Sequence, residues 1–376
     1  MTVRGDIVLQ SLESSSEPRP SGRDHMRKES LEFLKILVSA PLPSGFERGA
    51  QEIWMKYAKE FADETRYDPY GNAIAILNPQ GKPRLMVMGH GDAIGMIITY
   101  ISDSGYLYYE TVGGIDPMSL VSQRVMIHGK KGIVHGVIGR KAIHMILPED
   151  RTKAPKHEDM WIDIGAKDRK DAEKLVAVGD YGQSIGDFLE LKNSIAIGSR
   201  FDNKVGTWSA IETLRLLKGL KIDACVIAVS SVQEECTGAG ASTAAFHLEP
   251  DCAVVVDVTH TTDHPGTQKE KYGDVKLGGG PVLELGPPIH PIVRDGLSEA
   301  AKKAKIKIQC AAQGGFTRTD ADSIFKSRGG IPTAGLSVPN RYMHTTVEAI
   351  HLGDLDKVPQ VIAAYAKTLK KTTKFY

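Results

Sequence analysis

The stretch from Ala224 to Val258 reads ACVIAVSSVQEECTGAGASTAAFHLEPDCAVVVDV, and it decides the fold class. It begins with an apolar run, continues into an Ala-rich segment that predicts a helix from Ala239 to His247, and ends with a second apolar run from Cys252. Apolar runs without polar alternation are typical of strands that are buried on both faces of a sheet. A strand, a helix and a strand in this order favour an α/β sheet with helices on its faces.

The same alternation of strands and helices continues on both sides of this stretch. The further predicted elements are helices from Glu29 to before Pro41 and from Phe46 to Phe61, strands Asn72 to Leu77 and Leu85 to Gly89, helices Lys204 to Lys218 and Pro291 to Ala304, strand Lys307 to Ala311, helix Asp320 to Ser327, strand Thr333 to Val338 and helix Leu355 to Lys370. Together they predict an α/β fold with a mixed sheet flanked by helices.

Between Gly95 and Ser194 the pattern changes to short alternating segments such as Arg124 to His128 and Gly132 to Ile138. Alternation of this kind predicts a small all-β unit. We therefore predict one α/β domain made of residues 26–95 and 195–376, with a β domain inserted at 96–194. Residues 1–25 contain a serine run and two prolines with little apolar periodicity, which predicts a flexible tail.

Composition excludes several classes of protein. The 376 residues carry a formal net charge of +1, so no strong field of one sign argues for nucleic acid or an acidic membrane as a partner. No apolar run is long enough for a membrane helix, and the N-terminus has no apolar signal core, which makes the cytoplasm the expected location. The four cysteines form no CxxC pair, which fits a reducing compartment and argues against a cysteine zinc site.

Histidines and carboxylates follow the predicted strands at the points where these strands end. They are His90 and Asp92 after Leu85–Met88, Glu234 and Glu235 after Val226–Val232, Asp257 within Val254–Val258, and His344 after Leu336–Val338, together with Asp202 just before a helix. Residues far apart in sequence can converge at the carboxyl edge of an open α/β sheet. A mixed set of imidazole and carboxylate ligands suits zinc, cobalt or manganese, and a pair of ions needs one bridging carboxylate.

Each of these residues also has a simpler interpretation. Asp202 alone could cap the helix that follows it, and Glu234 and Glu235 could be a solvated pair at the start of a loop. His90 or His344 alone could be an ordinary surface or hydrogen-bonded histidine. Asp257 is harder to explain in this way, because burying an unpaired carboxylate within a valine-rich strand is costly.

The ordered combination of segments resembles a known family over about Lys28 to Lys370. The matching segments are His90-Gly91-Asp92, Phe201-Asp202-Asn203-Lys204-Val205-Gly206, Ser231-Val232-Gln233-Glu234-Glu235, Val256-Asp257-Val258-Thr259 and Arg341-Tyr342-Met343-His344, with Gly113-Gly114-Ile115-Asp116-Pro117 inside the inserted region. The chain is similar to the tetrahedral aminopeptidases, cytosolic dinuclear metallopeptidases that include glutamyl and deblocking aminopeptidases. Some members of that family are labelled as cellulases.

The resemblance implies a role for each site residue. His90 and Asp257 would bind one divalent ion, Glu235 and His344 would bind the other, and Asp202 would bridge them. Asp92 would orient His90, and Glu234 would be the general base that acts on a metal-activated water. The two ions would be zinc or cobalt, with manganese as a further candidate. The substrates would be peptides, which lose their N-terminal residue.

The resemblance also bears on assembly and on departures from the family. The inserted β domain resembles the family's dimerisation domain, which implies a homodimer and, in many members, a tetrahedral dodecamer. Ala93 stands where the family has an acidic residue, and Asp322 where it has a small or uncharged one. Two alternatives stay open: a cellulase-type glycosidase that uses Glu234 and Glu235, and a metal-binding assembly protein without catalysis.

Overall fold

The computed structural model of the chain describes residues 26–40 and 43–376, so the tail predicted at residues 1–25 lies outside the described part. The helices are α1 (Lys28–Ser39), α2 (Arg48–Ala58), α3 (Pro117–Leu120), α4 (Arg169–Ala172), α5 (Phe201–Leu217), α6 (Ala239–Leu248), α7 (Lys269–Tyr272), α8 (Pro291–Lys303), α9 (Ala321–Ile324) and α10 (Leu352–Thr368).

The strands fall into one large sheet and one barrel. They are β1 (Glu64–Tyr67), β2 (Ala73–Leu77), β3 (Arg84–His90), β4 (Gly95–Ile101), β5 (Leu107–Val112), β6 (Arg124–Gly129), β7 (Gly132–Arg140), β8 (Met160–Asp163), β9 (Tyr181–Ser184), β10 (Leu189–Glu190), β11 (Ile195–Gly198), β12 (Cys225–Ser231), β13 (Cys252–Val255), β14 (Val258–His260), β15 (Val282–Leu285), β16 (Gln309–Ala312), β17 (Thr333–Arg341) and β18 (Glu348–His351).

The large sheet is mixed, as predicted. Its strands follow the order β1, β2, β12, β3, β13, β17, β18, β11 and β10, while β14, β15 and β16 extend it around β17. Strand β3 runs parallel to both β12 and β13, whereas β2 runs antiparallel to β12. The three parallel strands therefore end at the same edge of the sheet.

The apolar runs of the central strands are buried on both faces of the sheet. Along β3, Leu85 and Val87 point into a core formed with α1, α2, α5, α8 and α10. Met86 and Met88 point to the opposite face and pack against α6 and α9. Burial of each large apolar side chain contributes roughly 1.5 to 3 kcal/mol. This two-sided burial explains why these strands lack polar alternation.

The small all-β unit predicted from the alternating segments is a closed barrel. Its strands follow the order β4, β5, β8, β7, β6 and β9. Side chains such as Met96, Leu107, Val125 and Ile162 fill a core that is separate from the two cores of the large sheet. The barrel is therefore a second packed unit within the chain.

Two of the predicted elements are wrong. The predicted strand from Cys252 to Val258 is interrupted, because β13 ends at Val255 and β14 begins at Val258. Strand β13 pairs with both β3 and β17, whereas β14 pairs with β17 alone. The predicted helix from Asp320 to Ser327 is one turn, α9, because the Ser327 N–H bonds the Ile324 carbonyl three residues back and the chain then turns away.

Close contact between α5 and β3 brings two distant parts of the sequence together. A Cβ atom added to Gly89 would lie 2.3 Å from the carbonyl carbon of Gly206, so only glycine permits this approach. The indole of Trp208 donates a hydrogen bond over 2.8 Å to the Ser30 carbonyl and holds α5 against α1. The start of α5 therefore lies beside the end of β3.

Among the described residues, we find no helix that combines the length and apolar character needed to cross a lipid bilayer.

Candidate metal centre

The predicted site residues lie along the carboxyl edge of the large sheet. His90 ends β3, Glu234 and Glu235 follow β12, Asp257 lies between β13 and β14, and His344 follows β17. Because β12, β3, β13 and β17 are neighbouring parallel strands, their carboxyl ends meet at one place.

The first group of side chains consists of His90, Asp202 and Asp257. His90 Nε2 lies 3.1 Å from Asp202 Oδ1 and 3.9 Å from Asp257 Oδ1. One ligand atom from each of the three residues lies within 4.8 Å of the others, and all three side chains are buried. This is a geometry that could hold a metal ion.

The second group consists of Asp202, Glu235 and His344. His344 Nε2 lies 3.2 Å from Asp202 Oδ2 and 3.5 Å from Glu235 Oε2. Asp202 thus belongs to both groups, with one carboxylate oxygen facing each histidine. At the start of α5, Asn203 Oδ1 accepts a hydrogen bond over 2.9 Å from the Gly206 N–H, so Asp202 is not needed as the helix cap.

The donor set fits divalent cations. Three buried carboxylates and two imidazoles crowd one small volume, and Glu235 Oε1 is buried without a hydrogen-bond partner among the described residues. Burial raises the pKa of Glu235 to about 8, and the nearby Asp202 adds to the increase. Burial also raises the pKa of Asp257 well above its ordinary value. Cations would offset this crowding of negative charge.

Glu234 lies beside the first group but belongs to neither set of ligand atoms. Its Oε2 atom lies 3.7 Å from His90 Nε2. Burial raises the pKa of Glu234 to about 8, while His90 acts in the opposite direction and Asp320 adds to the increase. A carboxylate that is close to the site without being needed as a ligand is suited to proton transfer.

Asp92 is fully buried and connects His90 to the segment that carries both glutamates. Its Oδ1 atom lies 3.3 Å from His90 Nδ1. The same carboxylate accepts hydrogen bonds over 3.1 Å from the backbone N–H groups of Glu234 and Glu235, and another from the Ser44 hydroxyl. Burial alone would raise the pKa of Asp92, but the contact with His90 and these hydrogen bonds outweigh it, so the pKa is lowered. Asp92 therefore fixes the imidazole and the glutamate segment together.

Two buried carboxylates at the site were not predicted from the sequence. Glu348 accepts a hydrogen bond over 3.0 Å from the Asp202 N–H at Oε2, and one over 2.9 Å from the His344 N–H at Oε1. Asp320 accepts a hydrogen bond from the Ser231 hydroxyl at Oδ2, while its Oδ1 atom has no partner among the described residues. The sequence signal for Glu348 was its position four residues after His344, and that for Asp320 was its place in the segment Thr319-Asp320-Ala321-Asp322.

Ala93 and Asp322, the two residues that depart from the family pattern, each have defined contacts in the structure. Ala93 is fully buried, and its carbonyl accepts a hydrogen bond over 3.1 Å from the Ser44 N–H. Asp322 Oδ1 accepts hydrogen bonds from the N–H and hydroxyl of Thr317, and Oδ2 accepts one from the Arg318 N–H. Asp322 therefore fixes the turn that precedes Asp320, and it belongs to neither group of ligand atoms.

Comparison with known proteins gives consistent results. A family model described as M42 glutamyl aminopeptidase matches residues 71–361. The chain is 32% identical to the lysyl aminopeptidase of Pyrococcus furiosus over 344 residues, which cover 90% of this chain and 97% of the relative.

Solved structures resemble the whole described fold. A TET aminopeptidase from a marine sediment Thaumarchaeota archaeon superposes with a TM-score of 0.87 at 33% identity, covering 91% of this chain and 97% of the other. The TET1 peptidase of Pyrococcus horikoshii, which can assemble into a tetrahedron or a large octahedral shell, superposes with a TM-score of 0.81 at 33% identity, covering 90% and 100%.

Proposed function

The chain belongs to the M42 glutamyl aminopeptidase family and is a peptide hydrolase, and we propose that it removes N-terminal residues from peptides at a site with two divalent ions. The observation that carries this proposal is Asp202, whose two oxygens face His90 and His344 over 3.1 and 3.2 Å. Two ions in one peptidase site need such a shared carboxylate.

We assign the ligands from these contacts. His90 and Asp257 would hold one ion, Glu235 and His344 the other, and Asp202 would contact both. Divalent ions bound here would polarise the peptide carbonyl and lower the pKa of a water. Zinc and cobalt suit this mixed nitrogen and oxygen set, and manganese is a third candidate.

The protein's own groups then position the reactants and move the proton. Glu234 accepts a proton from the attacking water and passes it to the leaving amine nitrogen. Asp92 orients His90 and holds the backbone N–H groups of Glu234 and Glu235 at fixed distances. Glu234 thus stays aligned while its protonation state changes.

The glycosidase alternative is not favoured by the directions of the two glutamates. Glu234 Oε2 faces His90, whereas Glu235 Oε2 faces His344. Two catalytic carboxylates of a glycosidase must instead flank one glycosidic bond. A metal-binding assembly protein without catalysis would keep the ligands but would have no use for Glu234.

The function is tested with aminoacyl-p-nitroanilides that carry acidic, basic or aliphatic side chains. Chelator-treated protein is reloaded separately with zinc, cobalt or manganese before the assay. We expect metal-dependent release of p-nitroaniline, with a ranking of N-terminal residues. No hydrolysis of any substrate by protein that has bound its metal would contradict the proposal and favour the assembly role.

Glu348→Gln is expected to weaken the retention of metal about 10- to 100-fold, because the amide replaces one of two acceptor oxygens that hold Asp202 and His344. Competition with a chelator measures this affinity directly. The matched control is Glu284→Gln, a buried glutamate on β15 whose Oε1 atom accepts a hydrogen bond from Ser337. Equal metal affinity in both variants would contradict the positioning role of Glu348.

We further propose that the chain self-associates through the barrel and acts in the cytoplasm. The segment around Met145 and Leu147 exposes apolar side chains, as do Ile133 and Val137 on β7. Contiguous exposed apolar surface is typical of contact surfaces, and these side chains are the candidates for it on the barrel. Light scattering would distinguish a homodimer from a dodecamer; the Pyrococcus horikoshii TET1 peptidase, to which the chain is similar, can assemble into a tetrahedron.

A further inference from the structure

A large cleft borders the segment that carries Glu234. Its volume is about 560 Å³, within the range of about 300 to 1,000 Å³ that is typical of ligand clefts. Val232 forms part of its wall, as does Tyr70, whose hydroxyl donates a hydrogen bond over 3.0 Å to Gln233 Oε1. The cleft and the proposed general base therefore share one backbone segment.

The loop before α2 is attached to the same segment. Glu47 lines the cleft and is buried, and its Oε1 atom accepts hydrogen bonds from the Gly45 N–H over 2.7 Å and the Gln233 N–H over 3.0 Å. Ser44, just before this loop, donates a hydrogen bond to Asp92. These contacts hold the cleft wall in a fixed relation to the metal centre.

Strand order places the cleft at one end of the row of site residues. The neighbouring strands are β2, β12, β3, β13 and β17, and the site residues follow the last four of them. Tyr70 lies in the turn between β1 and β2, beyond β12. The cleft therefore lies next to the segment after β12, which carries Glu234.

The position of Glu234 defines where the leaving part of a peptide begins. A group that donates a proton to the leaving nitrogen must lie within hydrogen-bond reach of it. The peptide chain beyond that nitrogen starts next to Glu234 and extends away from the N-terminal residue. The large cleft borders the backbone segment that carries Glu234, because Val232 forms part of its wall and Tyr70 donates a hydrogen bond to Gln233.

The lining of the cleft combines four aromatic side chains with the polar or charged side chains of Glu47, Arg48, Gln51 and Glu52. Tyr67 and Tyr70 are 46% and 43% exposed, so their rings are open to a ligand. The ring of Tyr181, on barrel strand β9, stacks between Phe46 at 3.9 Å and His128 at 4.5 Å. Aromatic surfaces that are held rigidly favour contact with another aromatic or a large aliphatic side chain.

On the basis of the proposed aminopeptidase function, we propose that this cleft binds the first residues after the scissile bond and prefers an aromatic or large aliphatic side chain there. The large sheet contributes Tyr67, and the barrel contributes Tyr181. The cleft is thus a binding subsite for the leaving peptide, built from both units of the chain.

The test compares the wild type with Tyr67→Ala on three substrates. They share the best N-terminal residue X and are the amide X-NH2, X-Phe-Ala-Ala and X-Glu-Ala-Ala. We expect the wild-type KM to be about tenfold lower for the Phe peptide than for the Glu peptide, and Tyr67→Ala to remove most of this difference. Turnover of X-NH2, which has no chain beyond the scissile bond, is the reference to which the two peptides are compared in each variant. The matched control is Tyr108→Ala, an exposed barrel tyrosine outside the cleft.

Calorimetric binding of N-acetyl-Phe-Ala-Ala, which carries the leaving peptide but no free N-terminal amine, gives a readout that does not need turnover. We expect Tyr67→Ala to weaken this binding about tenfold and Tyr108→Ala to leave it unchanged. If the wild type hydrolyses X-NH2 but neither KM nor binding depends on Phe or on Tyr67, the subsite proposal is overturned and the proposed function stands. If no substrate is hydrolysed but binding depends on Tyr67, the cleft binds peptide as expected and it is the proposed function that fails.

Discussion

Replacement of Glu234 by Gln is expected to lower kcat by about 10²- to 10⁴-fold while the bound metal is retained. Glutamine has nearly the shape of glutamate but cannot accept a proton from water. Glu234 belongs to neither group of ligand atoms, so the ions do not depend on its charge for their ligands. Steady-state kinetics and elemental analysis of the same sample measure both quantities.

The control for this variant is Glu284→Gln, which removes the charge of another buried glutamate outside the site. We expect this control to keep most of its turnover. If Glu234→Gln instead kept more than about a tenth of the wild-type kcat, Glu234 would not be the general base. If it lost its metal along with its activity, Glu234 would be a ligand.

Replacement of Asp202 by Asn is expected to release at least one ion per chain and to lower turnover by about 10³-fold or more. Its two oxygens face His90 and His344 over 3.1 and 3.2 Å. An amide has only one oxygen, so its NH2 group would face the other ion. The hydrogens of this group carry partial positive charge and cannot replace a carboxylate ligand. Metal content and turnover should therefore fall together.

The matched variant is Asp257→Asn, because Asp257 belongs only to the group around His90. This variant should weaken the binding of one ion, while the second ion binds with nearly its wild-type affinity. A chelator titration that resolves two binding steps distinguishes the two variants. Retention of two ions at wild-type affinity in Asp202→Asn would contradict the bridging role.

The main lines of the fold were predictable because burial on both faces leaves a continuous apolar run. Leu85–Met88 shows this pattern, and the run lies at the centre of the sheet. The interruption at Asp257 was not predictable, because the change from pairing with β3 to pairing with β17 alone leaves no trace in a valine-rich sequence. The helix predicted from Asp320 was too long, since tight backbone turns after Ile324 end it.

The residues that follow the strand ends were predictable because parallel strands end at one edge. Glu348 and Asp320 were missed because their contacts join distant segments. Glu348 accepts a hydrogen bond from the N–H of Asp202, which is 146 residues away in the sequence. Asp320 accepts one from the hydroxyl of Ser231, which is 89 residues away. The aromatic cleft was missed for the same reason, since Phe46 and Tyr181 come from different units of the fold.

The most direct test of the central claim is a titration of chelator-treated protein with cobalt or zinc, in which bound metal and turnover of the best aminoacyl-p-nitroanilide are measured together. The contacts of Asp202 with His90 and His344 predict that two ions bind per chain and that full turnover requires both. Full turnover in the metal-free protein, or saturation of both binding and turnover at one ion per chain, would contradict the two-ion site.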